Sequence, residues 1–110
     1  MDTRLADTKE GQIARSVEML NKAEITTDFL KSLSHPSRLV MLCRLAEGAA
    51  NVRELEAVLG IPQAAVSKQL ARLREDGLVK SERDGRSIIY SLGDARIERI
   101  INVLYNEFCN

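Results

Sequence analysis

Apolar residues recur along this chain with two different periods, and the change between them marks its most informative stretch. From residue 51 to 75 they return every three or four positions, as on one side of a helix; from 78 to 92 the pattern becomes strand-like. Val52, Leu55, Val58 and Leu59 predict a short helix, with Asn51 as N-cap and Glu54, three residues on, able to complete a capping box. Gly60 stands where a helix needs a left-handed C-terminal residue, and Pro62 falls in the expected first turn of the next helix, so the link is tight. In that second helix Val66, Leu70 and Leu73 share one stripe. At about 100° per residue, Ala64, Lys68, Ala71 and Glu75 point the opposite way, flanked by Ala65, Ser67 and Arg72. Gly77 ends the helix. Residues 78–82 and 87–92 then read as strands around Arg83-Asp84-Gly85-Arg86, whose Asp-Gly pair is a hairpin turn signal.

The rest of the chain is helical in pattern. Residues 1–11 are polar and lack a sustained apolar stripe, so they are expected to be a flexible segment, frayed or weakly helical, ahead of a single domain over 12–110. Ile13, Val17 and Leu20, with Met19 beside them, predict an amphipathic helix from Gln12 to about Lys22. A second short helix carries Ile25, Phe29, Leu30 and Leu33 and starts near Thr26-Thr27-Asp28. Ser34-His35-Pro36 breaks it, and Pro36 opens a third helix with Leu39, Leu42, Cys43, Leu45 and Ala46, closed by Gly48. After Gly93, Asp94 caps a last helix. Its apolar positions, Ile97, Ile100, Ile101, Leu104 and Phe108, are more than a terminal helix of so small a domain needs, which predicts a second subunit against it. The expected fold is mainly α with a small β-hairpin: a dimeric winged helix-turn-helix.

Composition changes this picture only at a few points. A length of 110 residues is one domain's worth, and with no Trp and two Phe the core must be mainly aliphatic. Sixteen basic and sixteen acidic residues cancel, so attraction to nucleic acid has to be local. Residues 63–92 hold Lys68, Arg72, Arg74, Lys80, Arg83 and Arg86 against Glu75, Asp76, Glu82 and Asp84, a modest excess. The outward face of the second motif helix suits a DNA major groove. Ala64, Ala65 and Ala71 permit close approach, Gln63, Ser67 and Gln69 can hydrogen-bond bases or backbone, and Lys68 and Arg72 can reach phosphate or guanine. Arg83 and Arg86 at the hairpin tip suit the sugar-phosphate backbone or adjacent minor groove. Winged domains also serve in protein contacts, so a protein-interaction module is the competing reading. No apolar run approaches a membrane span and no secretory signal is visible, which predicts a cytoplasmic protein with free thiols at Cys43 and Cys109. His35, directly before Pro36, reads as a capping or surface residue. With one histidine far along the chain from Cys109, no base is at hand for a cysteine-dependent enzyme, and no catalytic residue is assigned.

Across residues 25 to 108 the chain resembles the ArsR family of small bacterial winged-helix repressors. The residues that carry this are Ser34-His35-Pro36-Ser37-Arg38 opening a helix, Val66-Ser67-Lys68-Gln69-Leu70 with Leu73, Gly77-Leu78-Val79, and Gly85-Arg86 with Tyr90. The resemblance implies a homodimer on a pseudo-palindromic operator in double-stranded DNA. It also implies an interface made by the first and last helices, here through Ile13, Val17, Leu20, Ile97, Ile101, Leu104 and Phe108. The family's metal sites do not carry over: Asn51 and Arg53 stand where one site has cysteines, and Asp94, Arg96 and Glu107 make a broken version of the other. Neither a metal nor another cofactor is expected, and a metal-responsive repressor is the alternative. Within the family, the BigR-like group that responds to sulfide, persulfides and related oxidants has a cysteine after the Ser-His-Pro break and another at the end of the last helix. Cys43 and Cys109 match both. The resemblance therefore implies a redox switch in which a disulfide or polysulfide between them, formed by reactive sulfur species or an oxidant as inducer, lowers DNA affinity. Taken alone, Cys43 reads as a core thiol and Cys109 as an exposed, reactive one. A simple disulfide needs their Cα atoms about 4.4 to 6.8 Å apart.

Overall fold

The computed structural model describes residues 8–109. Residues 1–7 of the expected flexible segment lie outside the described residues. The chain divides into two units, 1–33 and 34–110, and each is taken by itself.

The first unit is one continuous helix, α1 (Lys9–Leu33), where the sequence pattern predicts two. Thr8 starts it: its hydroxyl oxygen accepts the Gly11 N–H at 2.9 Å and its carbonyl accepts the Gln12 N–H at 2.9 Å. Lys9, Glu10 and Gly11, expected to precede the domain, are therefore helical. The expected break near Thr26 does not occur because the polar side chains there bond within the helix. Thr26 donates to the Lys22 carbonyl at 2.8 Å, as Ser16 does to Gln12 and Ser32 to Asp28, and no Pro intervenes. The pattern suggests two helices because the apolar stripe changes side. At about 100° per residue, Ile13, Val17 and Leu20 lie roughly 150° around the axis from Ile25, Phe29 and Leu33. Lys22 pairs with Glu18 at 2.8 Å and holds that carboxyl below its ordinary value, but both side chains are exposed and the pair adds little stability.

The second unit runs α2 (Pro36–Glu47), α3 (Val52–Leu59), α4 (Gln63–Glu75), β1 (Val79–Asp84), β2 (Ser87–Leu92) and α5 (Ala95–Phe108). Its centre is α2, which packs against α3, α5 and β2 and buries Met41, Leu42, Cys43 and Leu45. Around these close Leu55 from α3, Val66, Leu70 and Leu73 from α4, Leu78, Val79 and Leu92 from the hairpin base, and Ile97 and Ile101 from α5. The core is wholly aliphatic apart from the thiol and a methionine. Among the described residues no helix is long and apolar enough to cross a membrane.

The local signals between 51 and 60 and at 94 act as expected. Asn51 accepts the Glu54 N–H at 2.9 Å while Glu54 reaches back to the Asn51 N–H, completing the capping box. Gly60 takes the left-handed conformation at φ 66°, and Asp94 accepts the Ile97 N–H. Pro62 sits one position earlier than expected, at the N-cap of α4, where its carbonyl accepts the Val66 N–H.

The hairpin is longer than its expected strands. Asp84 pairs with Ser87 and Arg83 with Ile88, leaving Gly85-Arg86 as the two-residue turn. Only Gly85 has positive φ, as a type II′ turn demands, so the useful glycine is the first central residue and not the second of an Asp-Gly pair. Ala50 and Tyr90 exchange backbone hydrogen bonds of 3.0 and 2.7 Å, which ties β2 to the entry of α3.

At the hairpin base, Gly93 donates its N–H to the Leu78 carbonyl, and a Cβ on Gly93 would collide with the Gly77 carbonyl oxygen. Both colliding groups are backbone and cannot rotate away. Gly93→Ala is expected to destabilise the unit by about 1–3 kcal/mol. Urea unfolding checks this, and an unchanged midpoint refutes it.

Candidate nucleic-acid interface and thiol pair

Burial on one side of α4 decides what its other side shows. With Val66, Leu70 and Leu73 sealed in the core, Gln63, Ala64, Ser67, Lys68, Ala71 and Arg72 are exposed. Gln69 differs from them: it is half-buried, and its Oε1 accepts the Ser37 hydroxyl at 3.1 Å, so one end of its amide is engaged by α2. Arg83 and Arg86 are exposed at the wing tip. A cleft of about 290 Å³ opens between the start of α2 and α4, lined by His35, Ser37, Arg38, Ala65, Lys68, Gln69 and Arg72. Ser37 and Arg38 line this cleft as well, and sequence reasoning misses them because side by side they signal only a helix start. His35 occupies the N-cap position of α2 without a side-chain cap hydrogen bond; only its carbonyl caps, accepting from Leu39 at 3.0 Å.

The two cysteines meet although they lie at opposite ends of the unit in sequence. Cys43 is 7% exposed on α2, and Cys109, the C-cap of α5, is exposed; both are free thiols. They line one pocket of about 220 Å³ with Leu39, Val40, Arg44, Glu47, Val58 and Tyr105. Burial pushes the Cys43 thiol up to about 11, helped by the charge and hydrogen bond of Cys109 and then by the Glu47 carboxylate. One helical turn from each cysteine, Tyr105 donates its hydroxyl to Glu47 Oε2 at 2.9 Å, and this bond to a carboxylate holds the phenol above its ordinary value. The Tyr105–Glu47 bond thus crosses from α5 to α2 beside the thiol pair. Next to Cys43, Arg44 donates to the Gly48 carbonyl at 3.0 Å and pairs with Glu54 of the α3 capping box at 3.2 Å. Among the described residues no group of three or more His, Cys, Asp or Glu gathers as a metal site.

The residues expected at a dimer interface divide. Ile97 and Ile101 are 3% and 0% exposed and belong to the core of the second unit itself, because i, i+4 spacing turns them onto α2. Leu104 is part-buried, and Phe108 is 82% exposed. Val103, 59% exposed, and Ile100 lie on the outer side of α5, a stripe that the sequence pattern did not separate from the inner one. On α1, Ile13, Val17 and Leu20 are all more than half exposed.

A tight helix-turn-helix with a small, polar and cationic outer face, followed by a hairpin tipped with arginines, defines a winged helix-turn-helix DNA-binding protein. The sequence pattern described as "Bacterial regulatory protein, arsR family" matches residues 35–81. The chain belongs to the ArsR family, whose members are transcriptional regulators and not enzymes. It is 42% identical over 108 residues to the biofilm growth-associated repressor of Xylella fastidiosa strain 9a5c, covering 98% of this chain and 89% of that one. Among solved structures, the transcriptional repressor BigR from Xylella fastidiosa superposes with a TM-score of 0.74 at 41% identity, covering 86% of this chain and 97% of that one. Reduced HlyU from Vibrio cholerae N16961 superposes with a TM-score of 0.80 at 31% identity, covering 84% and 98%.

Proposed function

We propose that the protein is a homodimeric transcriptional repressor that holds a pseudo-palindromic operator in duplex DNA while its thiols are reduced, and leaves it when Cys43 and Cys109 become linked. The biofilm growth-associated repressor, at 42% identity, supports repression, and the exposed residues of α4 and the wing supply the DNA contacts: Gln63, Ala64, Ser67, Lys68 and Arg72 at the groove, with Arg83 and Arg86 on the backbone. A DNA-binding regulator of a bacterial family works where the DNA is, which supports a cytoplasmic location. The apolar outer stripes of α1 and α5 call for a second copy to cover them, and two-fold symmetry then matches the operator.

The observation that carries the thiol switch is the shared pocket of Cys43 and Cys109. With an organic persulfide RS–SH, the exposed Cys109 thiolate attacks the outer sulfur, forming Cys109–S–SH as RS⁻ leaves. The Cys43 thiolate then attacks the Cys109 sulfur, forming the disulfide as HS⁻ leaves with the proton Cys43 gave up. The cysteine pair loses two electrons, and the persulfide takes them as it becomes thiol and sulfide. If the Cys109 persulfide first attacks the outer sulfur of a second RS–SH, releasing RS⁻, and Cys43 then attacks the middle sulfur of Cys109–S–S–SH, releasing HS⁻, a three-sulfur link forms instead. Such a bond fixes α2 to the end of α5. Because Arg44 beside Cys43 is tied to Glu54 of α3, a shift of α2 is felt at the helix that sets the angle of α4.

Binding of the reduced protein to DNA from its own promoter, followed by fluorescence anisotropy at several salt concentrations, tests the repressor reading. Lys68→Ala is expected to weaken binding and to reduce the salt slope by about 0.9 for a lost phosphate contact. Absence of any salt-dependent binding by the native chain would overturn the reading.

A further inference from the structure

The cleft between α2 and α4 has a composition that the groove-facing residues do not explain. Arg38, Lys68 and Arg72 bring three permanent positive charges to it from two helices, and no carboxylate lines it. Among the described residues, none of the three is paired with an acidic side chain. Like charges gathered without a counter-ion are unfavourable unless an anion joins them.

The position of the cleft says which anion. Ala65, Lys68, Gln69 and Arg72 follow i, i+3, i+4, i+7 spacing and form one flank of α4, beside the outward line of Ala64, Lys68 and Ala71. A helix about 10–12 Å across fills a major groove about 12 Å wide, so its flanks meet the phosphate strands that wall the groove. The Ser37–Gln69 hydrogen bond fastens α2 to α4 at this point and sets the spacing of the two sides.

We propose that this cleft is a backbone-phosphate clamp, taking one DNA phosphodiester per subunit between Arg38 of α2 and Lys68 and Arg72 of α4. Arg38 is the new DNA-binding residue, and Ser37 is a positioning residue that acts through Gln69. This rests on the DNA-binding reading and adds a contact from outside the helix-turn-helix and wing. A phosphate contact carries no base information, so the clamp adds affinity and register but leaves sequence preference to α4.

The test uses the reduced full-length chain with promoter DNA and with an unrelated duplex of equal length. Arg38→Gln is expected to weaken both complexes by the same factor, roughly tenfold, and to reduce the salt slope by about 0.9. Arg38→Lys, which keeps the charge, should retain most of that slope. Replacing single phosphates by neutral methylphosphonates locates the contact: one position per half-site should weaken the native complex strongly and the Arg38→Gln complex less, since Lys68 and Arg72 still face that phosphate. An Arg38→Gln chain with the native salt slope, or no methylphosphonate position whose effect is smaller in it, overturns the clamp while the repressor stands. A native chain that does not bind in a salt-dependent way overturns the DNA reading itself, and the clamp with it.

Discussion

An Ile101→Asp chain should fail to fold, whereas a Val103→Asp chain should keep its fold and lose its partner. Ile101 is fully buried where α5 meets α2, and the substitution removes an apolar side chain from a filled site and leaves an unpaired carboxylate there. Loss of the apolar contacts alone costs about 2–5 kcal/mol, against a total stability of about 5–15 kcal/mol for a domain. Two positions further on, Val103 faces outward, and a charge there costs the fold little. If the outer stripe of α5 is the dimer surface, the native melting temperature rises with protein concentration and that of Val103→Asp does not. Circular dichroism melts and sedimentation decide the matter. A cooperatively melting Ile101→Asp chain would refute the core assignment, and a dimeric Val103→Asp chain the interface.

The second large effect concerns release from DNA. Cys43→Ser and Cys109→Ser are each expected to bind the operator normally when reduced and to stay bound after treatment with an organic persulfide, while the native chain dissociates. At a pKa of about 11, roughly one Cys43 in ten thousand is a thiolate at pH 7. First attack is therefore expected from Cys109, with Cys43 closing the bridge. Cys43→Ser should accumulate a persulfide on Cys109 that mass spectrometry detects, whereas Cys109→Ser should remain nearly unmodified. A Cys43→Ser chain that still releases DNA normally would exclude the switch.

The same displacement has a pH signature. A thiol whose pKa is raised on folding stabilises the native state fully below its ordinary value near 9.0, and that contribution is lost as pH climbs towards about 11. Cys109→Ser removes the neighbouring charge and hydrogen bond and should lower the Cys43 pKa, though burial, the largest cause, keeps it above ordinary. The pH profile of Cys43 alkylation measures the shift, and an unmoved profile would mean that Cys109 is not its neighbour in solution.

What the sequence determined by itself is what short-range physics controls. The Asn51–Glu54 box, the left-handed Gly60, the Asp94 cap and the change from helical to strand period each involve residues within a few positions of one another, so residue type and spacing are enough. The outward face of α4 was legible for the same reason: once Val66, Leu70 and Leu73 are inside, helical geometry turns Ser67, Lys68 and Arg72 out. Tertiary structure decided the rest. Periodicity collects Ile97, Ile100, Ile101 and Leu104 as apolar without saying which neighbour each meets, and the packing of α2 assigns Ile97 and Ile101 to the core. The hydroxyls of Thr26 and Ser32 carry a turn signal in isolation, yet helix carbonyls satisfy them and α1 continues. Neither the Arg38 cleft nor the Cys43–Cys109 pocket has a local signature, because each is made by helices far apart in sequence and exists only when α2 is packed against α4 and α5.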